Sequence, residues 1–306
     1  MKTLSTIAMS LALATAAMHA QDLSTYQSVI NGQSPFYYNT LDDTLVPSTG
    51  TGTFSATTGS TFTSDYFGNA NDAVTFAAAS DQLLYATGGN VVNGSGNATV
   101  SADHGSISLL FETPSTFGAT MYLFSNGDTS PNQFAVKLVS GTLNIAINNK
   151  TFTAPTTGSA FPTLTASTWY YIALTWDLNG TAAGVNGVNY YLGQAGAASL
   201  ADVGFMQRGG TGNFSSSSGE LGNGGAFALS GHQVGAGAGF AGGAVDELAA
   251  FNTELTSGQI TSQFDSLIVA VPEPSTIALF SIGLLLFIWI RRSGGFKITL
   301  KKRNTC

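Results

Sequence analysis

From about residue 28 to residue 267, apolar side chains recur at every second position, and this period of two constrains the fold more than any other feature. In the stretch SISLLFE, Ile107, Leu109 and Phe111 share one face of an extended chain. The stretch WYYIALTW, residues 169–176, is apolar almost throughout and predicts a central strand buried on both sides. Turn sequences rich in Gly, Asn, Asp and Ser separate such runs. The pattern therefore predicts an all-β fold, an antiparallel β-sandwich.

Composition narrows the class of protein further. Only 9% of the residues are charged, 43% are hydrophobic and 37 are glycines, which argues against a disordered chain and against a helical bundle. Residues 21–270 carry three basic and sixteen acidic side chains, and six of the ten basic residues lie from Arg291 onward. A body of this charge has no basic surface for phosphates, so we expect no nucleic acid partner. It is compatible with a solvated acidic surface or with cation binding.

One helix is predicted at the end of the body. Thr256 and Gln259 form the pattern of a capping box, and Ile260 and Phe264 then share one face. The glycine-rich stretch 204–243 is either a linker or a set of long loops. Strand-like patterns within it and after it favour loops inside a single domain.

The N-terminal segment has the three parts of a secretory signal peptide. Lys2 precedes a mostly apolar run, which is followed by small residues, and the run is too short to cross a bilayer. Residues 1–20 are therefore predicted to be removed, with cleavage between Ala20 and Gln21. An earlier site at residues 14–16 is the alternative. The one cysteine, Cys306, allows neither an internal disulfide nor a cysteine metal site.

Four segments of the body follow one another in the order and spacing of a known family. They are SPFYYNTLDD (34–43), GSISLLFETPST (105–116), STWYYIALTWDLNG (167–180) and FAGGAVDELAAFNTELTSGQITSQF (240–264). Together they resemble the laminin-G-like, concanavalin A-like lectin-glucanase domains. The resemblance implies two stacked antiparallel sheets in a jelly roll over residues 21–268.

The resemblance also directs attention to Asp246 in AVDEL, which matches an aspartate near the end of the family's closing strand. In some members of the superfamily this region organises a loop or a Ca²⁺ site. The sequence has no acidic run of the D-x-D-x-D kind, so we expect a structural hydrogen-bonding role for Asp246 and neither a metal nor a cofactor; calcium is the alternative. Tyr190 and Tyr191, with Tyr37 and Tyr38, are candidate aromatics for sugar binding, and burial in the core is the competing interpretation.

No catalytic residues are predicted. A retaining glycosidase places two carboxylates about 5 Å apart, whereas the positions two before and three after Asp246 are Ala244 and Ala249. On a regular strand, Asp246 and Glu247 would point to opposite faces. The expected function is therefore carbohydrate binding or adhesion. A structural matrix protein without a ligand, or a polysaccharide-modifying enzyme, are the alternatives.

The C-terminal stretch VPEPSTIALFSIGLLLFIWIRR adds a second targeting element. Its apolar core, residues 277–290, follows Pro272, Glu273 and Pro274 and ends at Arg291 and Arg292, the charge expected on the cytoplasmic side of a membrane helix. The segment 269–292 resembles the PEP-CTERM sorting signal of Gram-negative bacteria. That resemblance implies an exosortase as partner, an inner-membrane intermediate, and delivery to the cell envelope, cell surface or extracellular matrix, where exopolysaccharide is an expected partner.

The final segment, residues 293–306, is predicted to be a basic cytoplasmic tail. It is longer than such signals usually carry, and it is interpreted either as extra anchoring on anionic lipid or as an extension of the chain. If the sorting signal is not processed, the apolar segment is instead a permanent anchor.

Overall fold

The structure is a computed structural model that describes residues 23–56, 59–85, 104–126, 134–147, 150–152, 164–177, 187–197, 200–207, 227–231 and 238–268. The chain divides into a body, Met1–Ile268, and a second unit, Val269–Cys306. The predicted signal peptide with its cleavage site, the sorting segment 269–292 and the basic tail lie outside the described residues. Within the described ranges, no helix has the length and apolar character needed to cross a membrane.

The body consists of two antiparallel β-sheets, as the alternating sequence predicts. The first sheet has the strand order β13-β12-β11-β6-β15-β4-β3, with β1 also paired to β15, and the second has the order β10-β9-β8-β7-β14-β5-β2. The strands are β1 (Tyr37–Asn39), β2 (Phe54–Ala56), β3 (Ser60–Thr63), β4 (Ala73–Phe76), β5 (Leu83–Tyr85), β6 (His104–Glu112), β7 (Met121–Asn126), β8 (Phe134–Val139), β9 (Thr142–Ile147), β10 (Lys150–Phe152), β11 (Trp169–Asp177), β12 (Gly187–Gln194), β13 (Ala201–Gln207), β14 (Phe227–Leu229) and β15 (Ala244–Phe251). The predicted jelly-roll sandwich is confirmed.

The apolar run 169–176 becomes the central strand β11, which pairs with β6 on one side and β12 on the other. Its side chains divide between two clusters, because successive residues of a strand face opposite ways. Ile172, Leu174 and Trp176 join the core between the sheets, whereas Tyr171 and Ala173 face outward. This explains why the stretch carries almost no polar residue.

Two helices cover the outer face of the first sheet. The helix α1 (Ser24–Gly32) was not predicted from the sequence, whereas α2 (Ser257–Asp265) was. In α2 the Thr256 side chain accepts from the backbone N–H of Gln259, and the Gln259 side chain accepts from the backbone N–H of Thr256, so the capping box is confirmed. In α1, Tyr26 and Ile30 are fully buried, four residues apart, against the sheet.

Candidate functional site

A β-bulge in β15 brings two buried acidic residues to the same face of the first sheet. The register of β15 against β6 shifts between Asp246 and Ala249, and Glu247 has a positive φ of 55°. Val245 and Leu248 face the core between the sheets, while Ala249 faces outward. A regular strand would send Asp246 and Glu247 to opposite faces, so that prediction is wrong: the inserted residue lets both carboxylates face the outer side.

Asp42 joins these two residues from the loop that follows β1. The flanking residues Leu41 and Asp43 have φ values of 59° and 53°, and Leu41 donates its backbone N–H to the Asn39 side chain at 3.0 Å. Carboxylate oxygens of Asp42, Asp246 and Glu247 lie within 4.8 Å of one another. We refer to these three side chains as the carboxylate cluster.

Only some of the carboxylate oxygens in the cluster accept a hydrogen bond. Gln27 of α1 donates its side-chain amide to Glu247 Oε1 at 2.9 Å and to Asp42 Oδ2 at 3.4 Å. The hydroxyl of Tyr38 donates to Glu247 Oε2. Asp246 Oδ1 accepts from the backbone N–H of Glu247 at 2.8 Å, but Asp246 Oδ2 is buried without a partner.

Among the described residues, the carboxylate cluster has no basic side chain that could neutralise its charge. Asp246 and Glu247 are both 0% exposed. The strands of the first sheet contain neither lysine nor arginine, and the two lysines of the described residues, at positions 137 and 150, belong to the second sheet. Ionised carboxylates that are buried without a counter-charge destabilise a fold.

This environment raises the pKa of every member of the cluster. Burial, followed by the charge of Glu247, raises the pKa of Asp246 well above its ordinary value. Burial also raises the pKa of Glu247, although the hydrogen bonds from Tyr38 and Gln27 oppose the shift. Burial raises the pKa of Asp42 to about 6, with Asp72 and Asp65 adding repulsion.

The donor set fits a hard divalent cation. Calcium binds carboxylate and carbonyl oxygens at about 2.3–2.6 Å, so two of its ligands lie at most about 5 Å apart. The span of the cluster, within 4.8 Å, falls inside that limit. Asp246 Oδ2 and Asp42 Oδ1 are buried oxygens of the cluster without a hydrogen-bond partner, so both would be available to such an ion.

The same geometry does not suit glycoside hydrolysis. Two of the three carboxylates lie within the distance that a retaining mechanism uses, but a catalytic pair must also line a cleft that admits a sugar ring. Asp246 and Glu247 are sealed beneath α1. A sugar ring therefore has no access to these two carboxylates in the structure.

Two of the predicted ligand-binding residues do not reach the surface. Tyr190 lies in the core between the sheets at 0% exposure, and Tyr191 lies in the outer cluster under the helices at 6%. Tyr37 and Tyr38 are buried as well, so none of the four presents a ring for stacking on a sugar. The alternation of β12 and β1 divides their rings between two buried faces.

A cleft elsewhere in the body does expose an aromatic ring. It has a volume of about 460 Å³ and is open to solvent. Phe117 is half-buried in it and packs against Gly141, where an added Cβ would lie 3.1 Å from the ring. We call this the Phe117 cleft; its lining residues are Ala79, Thr116, Phe117, Gly118, Ala119, Thr120, Met121, Ala238, Gly239 and Ala241. None of them is charged.

Comparison with known proteins identifies the targeting class of the chain. Residues 270–292 match the PEP-CTERM protein-sorting motif, and the match includes Pro272, Glu273, Pro274, Arg291 and Arg292. The motif marks an exported protein that passes the membrane on its way to the cell envelope. No curated protein matches the chain.

Solved structures define the class of the body. The binding domain of botulinum neurotoxin serotype D has a TM-score of 0.51 at 10% identity, covering 79% of this chain and 53% of that chain. The receptor binding domain of botulinum neurotoxin D also has a TM-score of 0.51 at 10% identity, covering 78% and 54%. Domain 4 of AbnA, an arabinanase from Geobacillus stearothermophilus in complex with arabinotriose, has a TM-score of 0.46 at 15% identity, covering 75% and 98%.

The chain spans about half the length of the two toxin domains. At these identities the likeness concerns the fold alone, a jelly-roll β-sandwich. The protein is thus an exported chain that carries a PEP-CTERM sorting motif behind a sandwich of this kind.

Proposed function

We propose that this chain is the precursor of a non-catalytic protein of the bacterial cell surface or extracellular matrix, and that an exosortase processes it. The observation that carries the proposal is the sorting motif at 270–292, which follows directly on a folded body whose described part ends at residue 268. Residues 1–20 direct export, residues 277–290 hold the precursor in the inner membrane of a Gram-negative cell, and the tail 293–306 remains in the cytoplasm.

The test follows the fate of the tail in cells that contain the exosortase. Mass spectrometry of the surface form is expected to find no peptide beyond about Glu273. Replacing Pro272, Glu273 and Pro274 together by alanine retains the full-length precursor in the membrane, whereas Ser275→Ala does not. Detection of Cys306 on the surface form contradicts exosortase processing and supports a permanent anchor.

For the body, we propose carbohydrate binding in the Phe117 cleft. The cleft offers a partly exposed aromatic face, the side chains of two threonines and backbone polar groups, and its volume falls in the range of small-ligand sites. Aromatic faces bind the apolar side of sugar rings, and a neutral lining suits an uncharged saccharide. Extracellular polysaccharide is the ligand expected at the predicted location of the protein.

A glycan array, followed by calorimetry on any hit, tests this proposal. Phe117→Ala is expected to weaken binding at least tenfold, and Val46→Ala, which truncates an exposed side chain in a different loop, is the matched control. Because Phe117 also packs against Gly141, the melting temperature of each variant is measured in parallel. Silence across the array, including the cell's own exopolysaccharide, favours the structural matrix protein.

The body is proposed to be non-catalytic because the carboxylates that would serve a glycosidase are buried. Purified protein is expected to release no reducing ends from polysaccharides. Turnover that is lost in Glu247→Gln would instead establish the enzyme alternative.

We also propose that the carboxylate cluster binds Ca²⁺ and that the ion stabilises the body after export. The observation that favours this role is the buried, unpaired oxygen of Asp246 in a cluster that has no lysine or arginine partner among the described residues. Calorimetry with CaCl₂ is expected to detect one site in the wild type and none in Asp246→Asn. Equal behaviour of the two proteins contradicts the assignment.

A further inference from the structure

We propose that the N-terminal helix α1 is a cation-dependent latch: binding of Ca²⁺ at the carboxylate cluster closes α1 onto the sheet, and α1 in turn strengthens the binding of the ion. This inference rests on the calcium site proposed above. It concerns the residues that join that site to the helix.

The helix α1 lies close to the predicted mature N-terminus. It begins at Ser24, three residues after the predicted mature N-terminus at Gln21, so it is the first element of the exported protein. An element at a chain end is anchored only through its own contacts and opens more readily than an internal one. Its buried apolar contacts come from Tyr26 and Ile30 of its own turns and from Leu23 just before it.

The side chain of Gln27 links α1 to the carboxylate cluster. A single side-chain amide, that of Gln27, donates to both Asp42 and Glu247, which are distant in sequence. Those oxygens belong to two of the three ion ligands. Side chains that hydrogen-bond to metal ligands orient them and contribute to metal affinity.

A bound ion would stabilise the hydrogen bonds between Gln27 and the carboxylate cluster. Without a cation, the three acidic side chains lie close together beneath the helix, and they can be ionised together only against their mutual repulsion. A cation holds their oxygens around one centre and fixes both acceptors of Gln27. Coupling between two binding events is reciprocal, so the ion must favour docking of α1 by the same factor by which α1 favours the ion.

The expected consequence is that α1 docks onto the sheet only after the protein has been exported. Extracellular calcium modules bind the ion at 10⁻⁴–10⁻³ M or so, a range that leaves them empty in the cytoplasm. The latch would therefore stay open while the signal peptide is still attached and would close after export.

Hydrogen exchange of residues 24–32 in the full mature body, in EDTA and in CaCl₂, tests the latch. In the wild type, calcium is expected to slow exchange of α1 at least tenfold. Gln27→Ala is expected to weaken calcium binding by about tenfold and to reduce this protection. The matched control is Gln33→Ala, which removes an amide at the other end of the same helix that contacts Gln259 and Gln263 rather than a carboxylate.

The outcomes separate the latch from the site on which it rests. If calcium binds the wild type and not Asp246→Asn, but neither protects α1 nor depends on Gln27, the latch is overturned and the site stands. If Gln33→Ala weakens calcium binding as much as Gln27→Ala, the effect comes from helix docking in general, and the specific role of Gln27 is overturned. If the wild type binds no calcium, the site fails and the latch fails with it.

Discussion

Replacing Asp246 by asparagine is predicted to stabilise the body without calcium and to destabilise it with calcium. Asparagine has almost the same shape, and its side-chain oxygen can still accept from the backbone N–H of Glu247. The substitution removes one negative charge from a buried cluster, and it removes one ligand of the proposed ion. The two consequences have opposite signs, so the variant distinguishes an ion site from an ordinary buried aspartate.

The magnitude without calcium follows from proton linkage. The pKa of Asp246 in the folded protein lies well above its ordinary value of 3.8, because of burial first and of the Glu247 charge second. Between the unfolded and folded values the folded protein holds one proton more than the unfolded chain, so the free energy of unfolding falls as the pH rises, by about 1.4 kcal/mol per pH unit. Asp246→Asn removes this loss of stability, because asparagine does not titrate.

The magnitude with calcium follows from mass action. An ion present at 1,000 times its dissociation constant stabilises the folded state by about 4 kcal/mol. A variant that no longer binds gains nothing. At pH 7 we therefore expect Asp246→Asn to be more stable than the wild type in EDTA and less stable than the wild type in excess calcium.

Urea denaturation at pH 5 and pH 7, with EDTA or CaCl₂, measures these differences. The control is Asp265→Asn, which changes an exposed acidic residue at the end of α2 and is expected to alter stability by less than about 0.5 kcal/mol under all conditions. A wild-type protein that becomes more stable from pH 5 to pH 7 in EDTA, or a variant that is less stable than the wild type in EDTA, refutes the reasoning.

Three further changes test capping, hydrogen bonding and packing elsewhere in the body. Thr256→Ala removes the capping box and is expected to cost about 1 kcal/mol in urea denaturation, whereas the exposed Ser262→Ala changes little; an equal loss in both contradicts the cap. Ser230→Ala removes a buried hydroxyl that donates to the Asp81 carbonyl and accepts from the Phe240 N–H, both at 2.8 Å, and is expected to cost about 2–3 kcal/mol by the same assay; a loss below about 0.5 kcal/mol contradicts it. Phe264→Ala opens a cavity beneath α2 and is expected to cost about 3–5 kcal/mol; a smaller loss means that the helix repacks.

The sequence allowed the sandwich to be predicted because its strands obey one simple rule. Where the strands are long and regular, as in β6 and β11, alternation assigns each side chain to a face, and the burial of Ile107, Leu109 and Phe111 confirms it. The capping box of α2 was equally readable because its signal is local. The helix α1 was not predicted, because only Tyr26 and Ile30 form its buried apolar face and no side chain caps its N-terminus.

The carboxylate cluster was not predictable by the same rule. Regular alternation would place Asp246 and Glu247 on opposite faces of the strand. The bulge that brings them to the same face contains no glycine from which it could have been predicted, because the residue with positive φ is Glu247 itself. Asp42 is 204 positions away in sequence, and its approach depends on the pairing of β1 with β15. The candidate tyrosines are buried, which was the competing interpretation from the sequence, since adjacent tyrosines on a strand of a two-sided sheet can both be buried, on opposite faces.

The arrangement around Asp246 carries two costs that structural hydrogen bonding alone does not explain. A non-glycine residue in the left-handed region costs on the order of 1 kcal/mol, and Leu41, Asp43, Asn71 and Glu247 all adopt it near the cluster; Asp43 donates its N–H to the Asn71 carbonyl. Burying carboxylates without a counter-charge costs more. A hydrogen bond to Asp246 Oδ1 would need neither the bulge nor a second acid. The divalent cation proposed above would offset the electrostatic cost, because the bulge brings two of its proposed ligands together and the ion would supply the opposite charge.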